Sequence, residues 1–178
     1  MVLKSYKYIK DKLIYKFKKK VKFKIKKFYA NFINNWGNNF VESKYGIKFK
    51  KNWIDSTFRI YINASYGYFF WDFLTSISKK FIFIDIGSNQ GLYSICAAKN
   101  NFCSKVYSFE PVYSTFLYLR ENISINNMSD KCYLINKGIG NKAGNLDIFI
   151  NEAHSGVATI REKDIDEDYQ KKEKIELI

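Results

Sequence analysis

The sequence is poor in proline, histidine, arginine and cysteine, and these shortages exclude several classes of protein. A single proline among 178 residues argues against long disordered or proline-rich linkers. Cys96, Cys103 and Cys132 are odd in number and lack the spacing of metal ligands, so they indicate neither a disulfide framework nor a zinc site. We therefore expect a folded protein of the reducing cytosol with no metal centre.

Long apolar runs are also absent. No stretch approaches about 18 uninterrupted apolar residues, and the N-terminal segment has no apolar core of signal-peptide length. These residues therefore show no sign of a membrane-spanning helix or a secretory leader. We expect a cytoplasmic protein that is either soluble or attached peripherally to the inner face of the membrane.

Positive charge is abundant but confined to one end of the chain. The formal net charge is +13, yet residues 1–28 contain twelve lysines and one acid, so this segment carries +11 and the rest only +2. Lysine outnumbers arginine 27 to 3. Because proteins that read nucleic acids favour arginine for bidentate contacts, we do not expect nucleic acid as a partner.

The basic segment (1–28) has the pattern of an amphipathic helix. Seven apolar residues fall within about 100° of one another on a helical wheel: Leu3, Tyr6, Ile14, Phe17, Val21, Ile25 and Phe28. Lys10 interrupts the pattern, and KVKFKIK (20–26) also alternates as a strand would. A lysine-rich helix with an aromatic face suits an anionic membrane surface. The alternatives are a solvated basic extension and a helix that docks on the domain.

Composition divides the chain into three parts. These are a basic N-terminal segment (1–30), an aromatic-rich cap region (31–78) and a domain with α/β character (79–178). Within the cap region, FRIYINASYGYFF (58–70) predicts a strand followed by a glycine-containing turn, and WDFLTSISKK (71–80) predicts a short helix.

Residues 81–135 alternate between strand and helix patterns. The strand patterns are FIFIDI, KVYSFE and KCYLIN, and the helix patterns between them are GLYSICAAKN and PVYSTFLYLRENISINN. FIFIDI is apolar without alternation, which is typical of a strand buried on both faces. Strands separated by helices of this length predict right-handed βαβ units and a parallel sheet, which is an α/β fold.

The pattern changes after the third strand. NLDIFI (145–150) alternates as a strand does, whereas residues 161–176 hold seven acids and five bases and predict an exposed loop or helix. The final IELI (175–178) resembles the start of another strand.

A turn of small residues, DIGSNQG (85–91), follows the first predicted strand. Glycines allow a backbone to come close to a ligand, and open α/β sheets bind ligands at this edge. Glu110 ends the second strand, 23 residues after Gly87, where a carboxylate accepts hydrogen bonds from the two hydroxyls of a ribose. We therefore predict a site for an adenosine-type cofactor.

The spacing disfavours a dinucleotide. The loop has G-x-x-x-G rather than G-x-G-x-x-G, and Asp85 beside it would repel a pyrophosphate. An acid at this place suits the cationic amino-acid portion of S-adenosylmethionine, which has no phosphates. The alternative role of Asp85 is to cap the following turn.

Four stretches together resemble the FkbM-type S-adenosylmethionine-dependent methyltransferases: FIDIGSNQGLYSI, VYSFEP, NISINN and INKGIGNKAGNLDIFI. The resemblance covers residues 81–160. It implies a Rossmann-like class I methyltransferase fold, S-adenosylmethionine as the cofactor, and O-methylation of a sugar or other small-molecule hydroxyl, such as that of a glycan precursor.

By this resemblance, seven residues form the cofactor site: Asp85, Gly87, Ser88, Asn89 and Gly91 in the loop, Glu110 at the ribose, and Asn136 near the adenine. The family also has an Asp-x-Glu-Gly-type segment and further strands beyond this region, and no such segment occurs before Ile178. We therefore expect the sheet to lack its C-terminal strands. The alternative function is a catalytically inactive, methyltransferase-like protein that acts as a peripheral membrane or cofactor-binding module.

His154 is the single histidine and the candidate general base. A lone histidine in a polar loop is more often an ordinary surface residue. Tyr93 and Cys96 are predicted to lie in the core, and the aromatic residues at 58–73 are predicted to serve packing rather than stacking on a sugar.

Overall fold

The computed structural model describes residues 2–162, 165–166 and 168–178, with residues 2–11 described by their backbone alone. In chain order the elements are α1 (Val2–Asn34), β1 (Phe40–Glu42), β2 (Lys48–Lys50), α2 (Ser56–Ile62), α3 (Tyr68–Ser76), β3 (Phe81–Ile86), α4 (Leu92–Lys99), β4 (Cys103–Phe109), α5 (Tyr113–Ile125), β5 (Cys132–Ile135), β6 (Gly144–Ile150), a 3-10 turn (Ser155–Val157) and β7 (Lys171–Leu177). The strands form three sheets, β1-β2, β3-β4-β5 and β6-β7.

The three middle strands form a parallel sheet in the order β3-β4-β5. Ile84 lies opposite Tyr107, and Tyr107 lies opposite Tyr133, so the three strands end at the same edge. Helix α4 connects β3 to β4 and α5 connects β4 to β5, as two successive βαβ units require. The predicted α/β class with a parallel, Rossmann-like core is therefore confirmed.

One face of β3 is open to solvent, so the prediction that this strand is buried on both faces is wrong. Ile82, Ile84 and Ile86 are 57–63% exposed, whereas Asp85 is buried and Phe83 packs against the core. Strand residues alternate between the two faces of a sheet, and β3 pairs only with β4 among the described residues. An apolar run thus occurs here in a strand that buries one face.

The aromatic stretch before the parallel sheet begins with helix α2, so the strand predicted from residue 58 is wrong. The predicted glycine-containing turn lies between α2 and α3, and α3 overlaps the short helix predicted at 71–80. Helix α2 begins after Asp55, whose Oδ1 accepts a hydrogen bond from the backbone N–H of Thr57 at 2.8 Å. Helix α3 begins after Gly67, which has a left-handed backbone conformation (φ 77°). Phe58 and Tyr61 are both buried at helical spacing. Capping and burial therefore override the strand preference of this composition.

The cap region shares one continuous cluster of buried apolar side chains with the parallel sheet. Asn122 of α5 is fully buried and joins the two parts. Its Oδ1 accepts from the backbone N–H of Lys50 at 2.7 Å, and its Nδ2 donates to the backbone oxygen of Gln90 at 2.8 Å. Asn126 Oδ1 accepts from the backbone N–H of Lys48 at 3.0 Å, and Asn126 Nδ2 donates to the backbone oxygen of Lys48 at 2.7 Å. Two side-chain amides thus fix the β1-β2 hairpin to α5.

The C-terminal part of the chain forms the antiparallel β6-β7 pair. Leu146 lies opposite Ile175, and Ile148, Ile150 and Ile175 build a small second core with Val112. The charged segment predicted as an exposed loop or helix therefore ends in a strand. Its alternation places Ile175 inward and neighbouring charged residues outward. The expected strand at the final residues of the chain is part of β7.

Helix α1 extends over Val2–Asn34, as its apolar spacing predicts, and the alternative strand at 20–26 is wrong. Leu3, Tyr6 and Lys10 of the predicted pattern lie outside the residues whose side chains are described. Within the described part of the chain, no helix combines the length and the apolar character that crossing a bilayer requires.

Asn122→Ala should lower the free energy of unfolding by about 2–4 kcal/mol, because it leaves the Lys50 N–H and the Gln90 carbonyl without their partners. Urea denaturation of the full chain measures this difference. Asn101→Ala changes an exposed residue of the same type and is the matched control, with an expected effect below about 0.5 kcal/mol. Similar effects of the two substitutions would contradict the role assigned to Asn122.

Candidate functional site

The loop that follows β3 (87–91) is held against the end of β4. The backbone N–H groups of Gly87 and Ser88 both donate to the carbonyl oxygen of Phe109, each at 2.9 Å. The Ser88 hydroxyl donates to the same oxygen at 3.0 Å. Gly87 has φ 78°, and a Cβ at this position would meet nothing within 4 Å. Glycine is therefore needed for its backbone conformation, and the space beside it is open to a ligand.

The other amides of this loop also have partners inside the protein. Asn89 has φ 49° and donates its N–H to Glu110 Oε2 at 2.9 Å. Asn89 Oδ1 accepts from the N–H of Gln90 at 2.9 Å, and the N–H of Gly91 donates to the backbone oxygen of Ser88 at 2.8 Å. Every backbone N–H of the loop is thus engaged by a protein acceptor.

Asp85 and Gly91 lie on the core side of the loop. The Ser94 hydroxyl donates to Asp85 Oδ2 at 2.5 Å and contacts the Ser108 hydroxyl at 2.7 Å. Burial raises the pKa of Asp85, and its hydrogen bonds with Ser94 oppose that shift. At Gly91 (φ 89°) a Cβ would lie 2.7 Å from Leu119 Cδ1, so glycine permits the close approach of α4 and α5. Both residues therefore stabilise the loop from its core side.

Glu110 follows β4 directly and is 5% exposed. Its Oε2 accepts from the Asn89 N–H and its Oε1 from the Val112 N–H, both at 2.9 Å. Burial raises the pKa of Glu110 to about 7, although these two backbone hydrogen bonds act in the opposite direction. In the ionised form, each carboxylate oxygen has a second lone pair that is able to accept a further hydrogen bond.

A cavity of about 480 Å³, here called the loop cavity, opens beside the loop and the end of β4. Of the seven residues predicted for the cofactor site, Gly87, Ser88, Asn89 and Glu110 line it. His154, the candidate base, lines it as well, just before the 3-10 turn. The structure thus brings five of the eight residues singled out in the sequence to one cavity.

Asn136, like Asp85 and Gly91, does not line the loop cavity. Its Nδ2 donates to the backbone oxygen of Glu110 at 2.7 Å and to that of Pro111 at 3.1 Å. Asn136 therefore fixes the backbone that carries the Glu110 side chain. No three His, Cys, Asp or Glu side chains of the described residues lie close enough together to hold a metal ion.

Sequence reasoning missed part of the wall of the loop cavity. Tyr61 and Tyr66 of the cap region and Tyr93 of α4 line it. Burial raises the pKa of Tyr93 to about 12 and raises the pKa of Tyr61 as well, so both phenols stay neutral near pH 7. These tyrosines were predicted to serve packing or the core, because no spacing signal distinguishes a tyrosine that packs from one that lines a cavity.

A second cavity of about 230 Å³, here called the polar cavity, shares Ser155 with the loop cavity. Its wall residues include four asparagines and four side chains with hydroxyl groups, together with four charged residues: Lys27, Asp55, Glu152 and Lys171. Gln90 also lines it, and its Nε2 donates to Asp55 Oδ2 at 2.6 Å. Gln90 Oε1 is buried without a hydrogen-bond partner among the described residues.

No known family profile matches the sequence, and no curated protein matches it. Similar solved structures do exist. TYW2 of M. jannaschii, solved in complex with AdoMet, is 22% identical over 56% of this chain and 44% of that chain, with a TM-score of 0.41. TYW2 of P. horikoshii, in complex with MeSAdo, is 19% identical over 65% and 47%, also with 0.41. The tRNA m1G37 methyltransferase of M. jannaschii is 18% identical over 42% and 26%, with 0.32.

The chain thus spans less than half of the length of each of these three proteins. Similarity at this level assigns neither a family nor a function.

Glu110 should make the stability of the protein depend on pH. Because its pKa is raised from 4.5 to about 7 in the folded state, its contribution to stability is fully present below pH 4.5 and is lost as the pH rises through about 7. We expect the unfolding free energy of the wild type, relative to Glu110→Gln, to fall by about 3 kcal/mol between pH 4.5 and 8.

Urea denaturation at several pH values measures this difference. The glutamine variant loses one hydrogen bond to a backbone N–H, but that loss does not vary with pH, so the slope is the readout. Glu42→Gln, at an exposed position, is the control and should leave the slope unchanged. A pH-independent difference between wild type and Glu110→Gln would contradict the assignment.

Proposed function

We propose that the loop cavity binds S-adenosylmethionine and that the protein transfers its methyl group to the hydroxyl of a sugar or another small molecule. The observation that carries this proposal is the use of every loop amide by a protein acceptor. A dinucleotide site needs free N–H groups to hold a pyrophosphate, whereas a cofactor without phosphates does not. The motif resemblance to FkbM-type methyltransferases supports the same assignment.

The residues present fit an adenosyl cofactor. Glu110 lines the loop cavity with a lone pair free on each carboxylate oxygen, which suits the two hydroxyls of a ribose. Gly87 leaves room for close approach of a ligand to the backbone. The cavity volume of about 480 Å³ lies within the range of small-molecule sites. When bound, the cofactor supplies an electrophilic methyl group on a sulfonium.

The chain's own contribution is to orient the acceptor and to accept its proton. Positioning the two reactants in line supplies a large part of the rate of such a transfer. Tyrosines and the carboxylate of Glu110 surround the space, and His154 adds an imidazole whose nitrogen is able to accept the proton of a hydroxyl. We assign His154 the role of general base.

The polar cavity is where we place the acceptor. It adjoins the loop cavity at Ser155, and its amide and hydroxyl lining suits a ligand with several hydroxyl groups. These features favour a sugar or glycan precursor. From the low arginine content we predict that nucleic acid is not the acceptor, and this stays a prediction.

Isothermal titration calorimetry with S-adenosylhomocysteine tests the cofactor site. We expect the full chain to bind this ligand and Glu110→Ala to bind it roughly 5- to 150-fold more weakly, because the variant lacks the acceptors for the ribose hydroxyls. Glu42→Ala is the matched control at an exposed position. Absence of binding by the folded wild type, or equal binding by Glu110→Ala, would overturn the site.

Transfer is tested separately with a methyl-labelled cofactor and separate pools of glycan precursors and tRNA. We expect label in the glycan pool, and His154→Gln should slow transfer by about 100-fold or more while leaving S-adenosylhomocysteine binding intact. Binding without transfer to any pool would favour the alternative function, a cofactor-binding module without activity. Label in tRNA would show that the acceptor is tRNA and not a sugar or another small molecule.

A further inference from the structure

One face of α1 contacts the rest of the protein. Lys19 forms an ion pair with Asp168 at 2.7 Å, and Lys27 forms one with Glu152 at 2.7 Å. Ala30 on the same face is 4% exposed. At 100° per residue, these three positions of α1 fall within about 80° of one another. They define the side of the helix that docks on the domain.

The opposite side of α1 carries an apolar stripe that nothing in the described structure covers. We call it the outer stripe, and its members are Ile14, Phe17, Val21, Ile25, Phe28 and Phe32. They are 38–70% exposed. On the helical wheel they occupy an arc of about 80° whose centre lies about 160° from the centre of the docking side. The exposure of the outer stripe is therefore a consequence of how α1 docks.

Lysines border the outer stripe on both sides. Lys20 and Lys24 lie on one border, Lys18 and Lys22 lie on the other, and all four are exposed. Residues 12–34 contain nine lysines and no acid. An apolar arc with basic borders is the arrangement of helices that lie in the plane of a bilayer surface, where the stems of the lysines extend toward the lipid headgroups.

We propose that α1 binds the surface of an anionic lipid bilayer with its outer stripe inserted at the boundary between headgroups and acyl chains. The part of the helix whose side chains are described (12–34) is about 33 Å long, and we place it flat on the surface. The domain remains on the water side, because Lys19 and Lys27 hold it on the opposite face of α1. This membrane attachment does not depend on the proposed methyl transfer.

Two other partners fit the same surface less well. A second copy of α1 placed on the outer stripe would bring the lysine borders of both helices together, and like charges at that distance repel. RNA would satisfy the lysines but would leave the exposed phenylalanines and isoleucines in water, and α1 has no arginine for bidentate phosphate contacts. An anionic bilayer complements both the charge and the apolar arc.

Vesicle sedimentation of the full chain tests the proposal. We expect the protein to sediment with vesicles of phosphatidylcholine containing about 30 mol% phosphatidylglycerol and not with phosphatidylcholine alone. Phe17→Ser combined with Phe28→Ser should weaken binding at least about tenfold with the lysines unchanged. Phe69→Ser combined with Phe102→Ser removes two exposed phenylalanines elsewhere and should leave binding unchanged.

A charge variant completes the test. Lys20→Gln combined with Lys24→Gln should also weaken binding, and added salt should reduce the effect of these two substitutions. Circular dichroism confirms that each variant stays folded. Failure to bind the anionic vesicles, or full binding by the Phe17/Phe28 double variant, would overturn the proposal. Salt-sensitive tRNA binding that the Phe17/Phe28 variant retains would assign α1 to nucleic acid instead.

Discussion

The candidate site depends on the carbonyl oxygen of Phe109, which accepts hydrogen bonds from two successive amides and one hydroxyl of the loop after β3. Because Glu110 is the next residue, the same end of β4 determines the position of both the loop and the carboxylate. The hydrogen bond from the Asn89 N–H to Glu110 Oε2 then links the loop directly to this carboxylate. In the wall of the loop cavity, the loop backbone and the Glu110 side chain are therefore fixed together by the last residue of β4 and the residue that follows it.

The parallel core could be predicted because each of its elements has a strong local pattern and follows the previous one directly in the chain. Helix α2 could not, because the β-branched and aromatic residues around Phe58 favour a strand, and the cap from Asp55 together with burial outweighs a preference of about 1 kcal/mol. Only the last residues of β7 (175–177) were predicted as strand, because the lysines and glutamates before them resemble an exposed segment. Its pairing with β6 is a contact between distant parts of the chain.

The candidate site, like the fold, could be predicted from the sequence only in part. Gly87, Ser88, Asn89 and Glu110 lie at the ends of adjacent strands, so their proximity followed from the fold class. The direction of the Asp85 side chain did not, because only the alternation of β3 decides that it faces Ser94 in the core. Tyr61 lines the loop cavity only because the cap region packs over the sheet, and sequence spacing carries no information on that packing.

The buried amide of Asn122 has a consequence for how the chain folds during synthesis. Lys50 precedes Asn122 by 72 residues, so the hairpin leaves the ribosome well before the side chain that satisfies it. Until α5 has emerged, the aromatic residues of the cap region have no complete core to enter. The cap region therefore completes its hydrogen bonds and its core only when α5, which follows it by about 70 residues, is present.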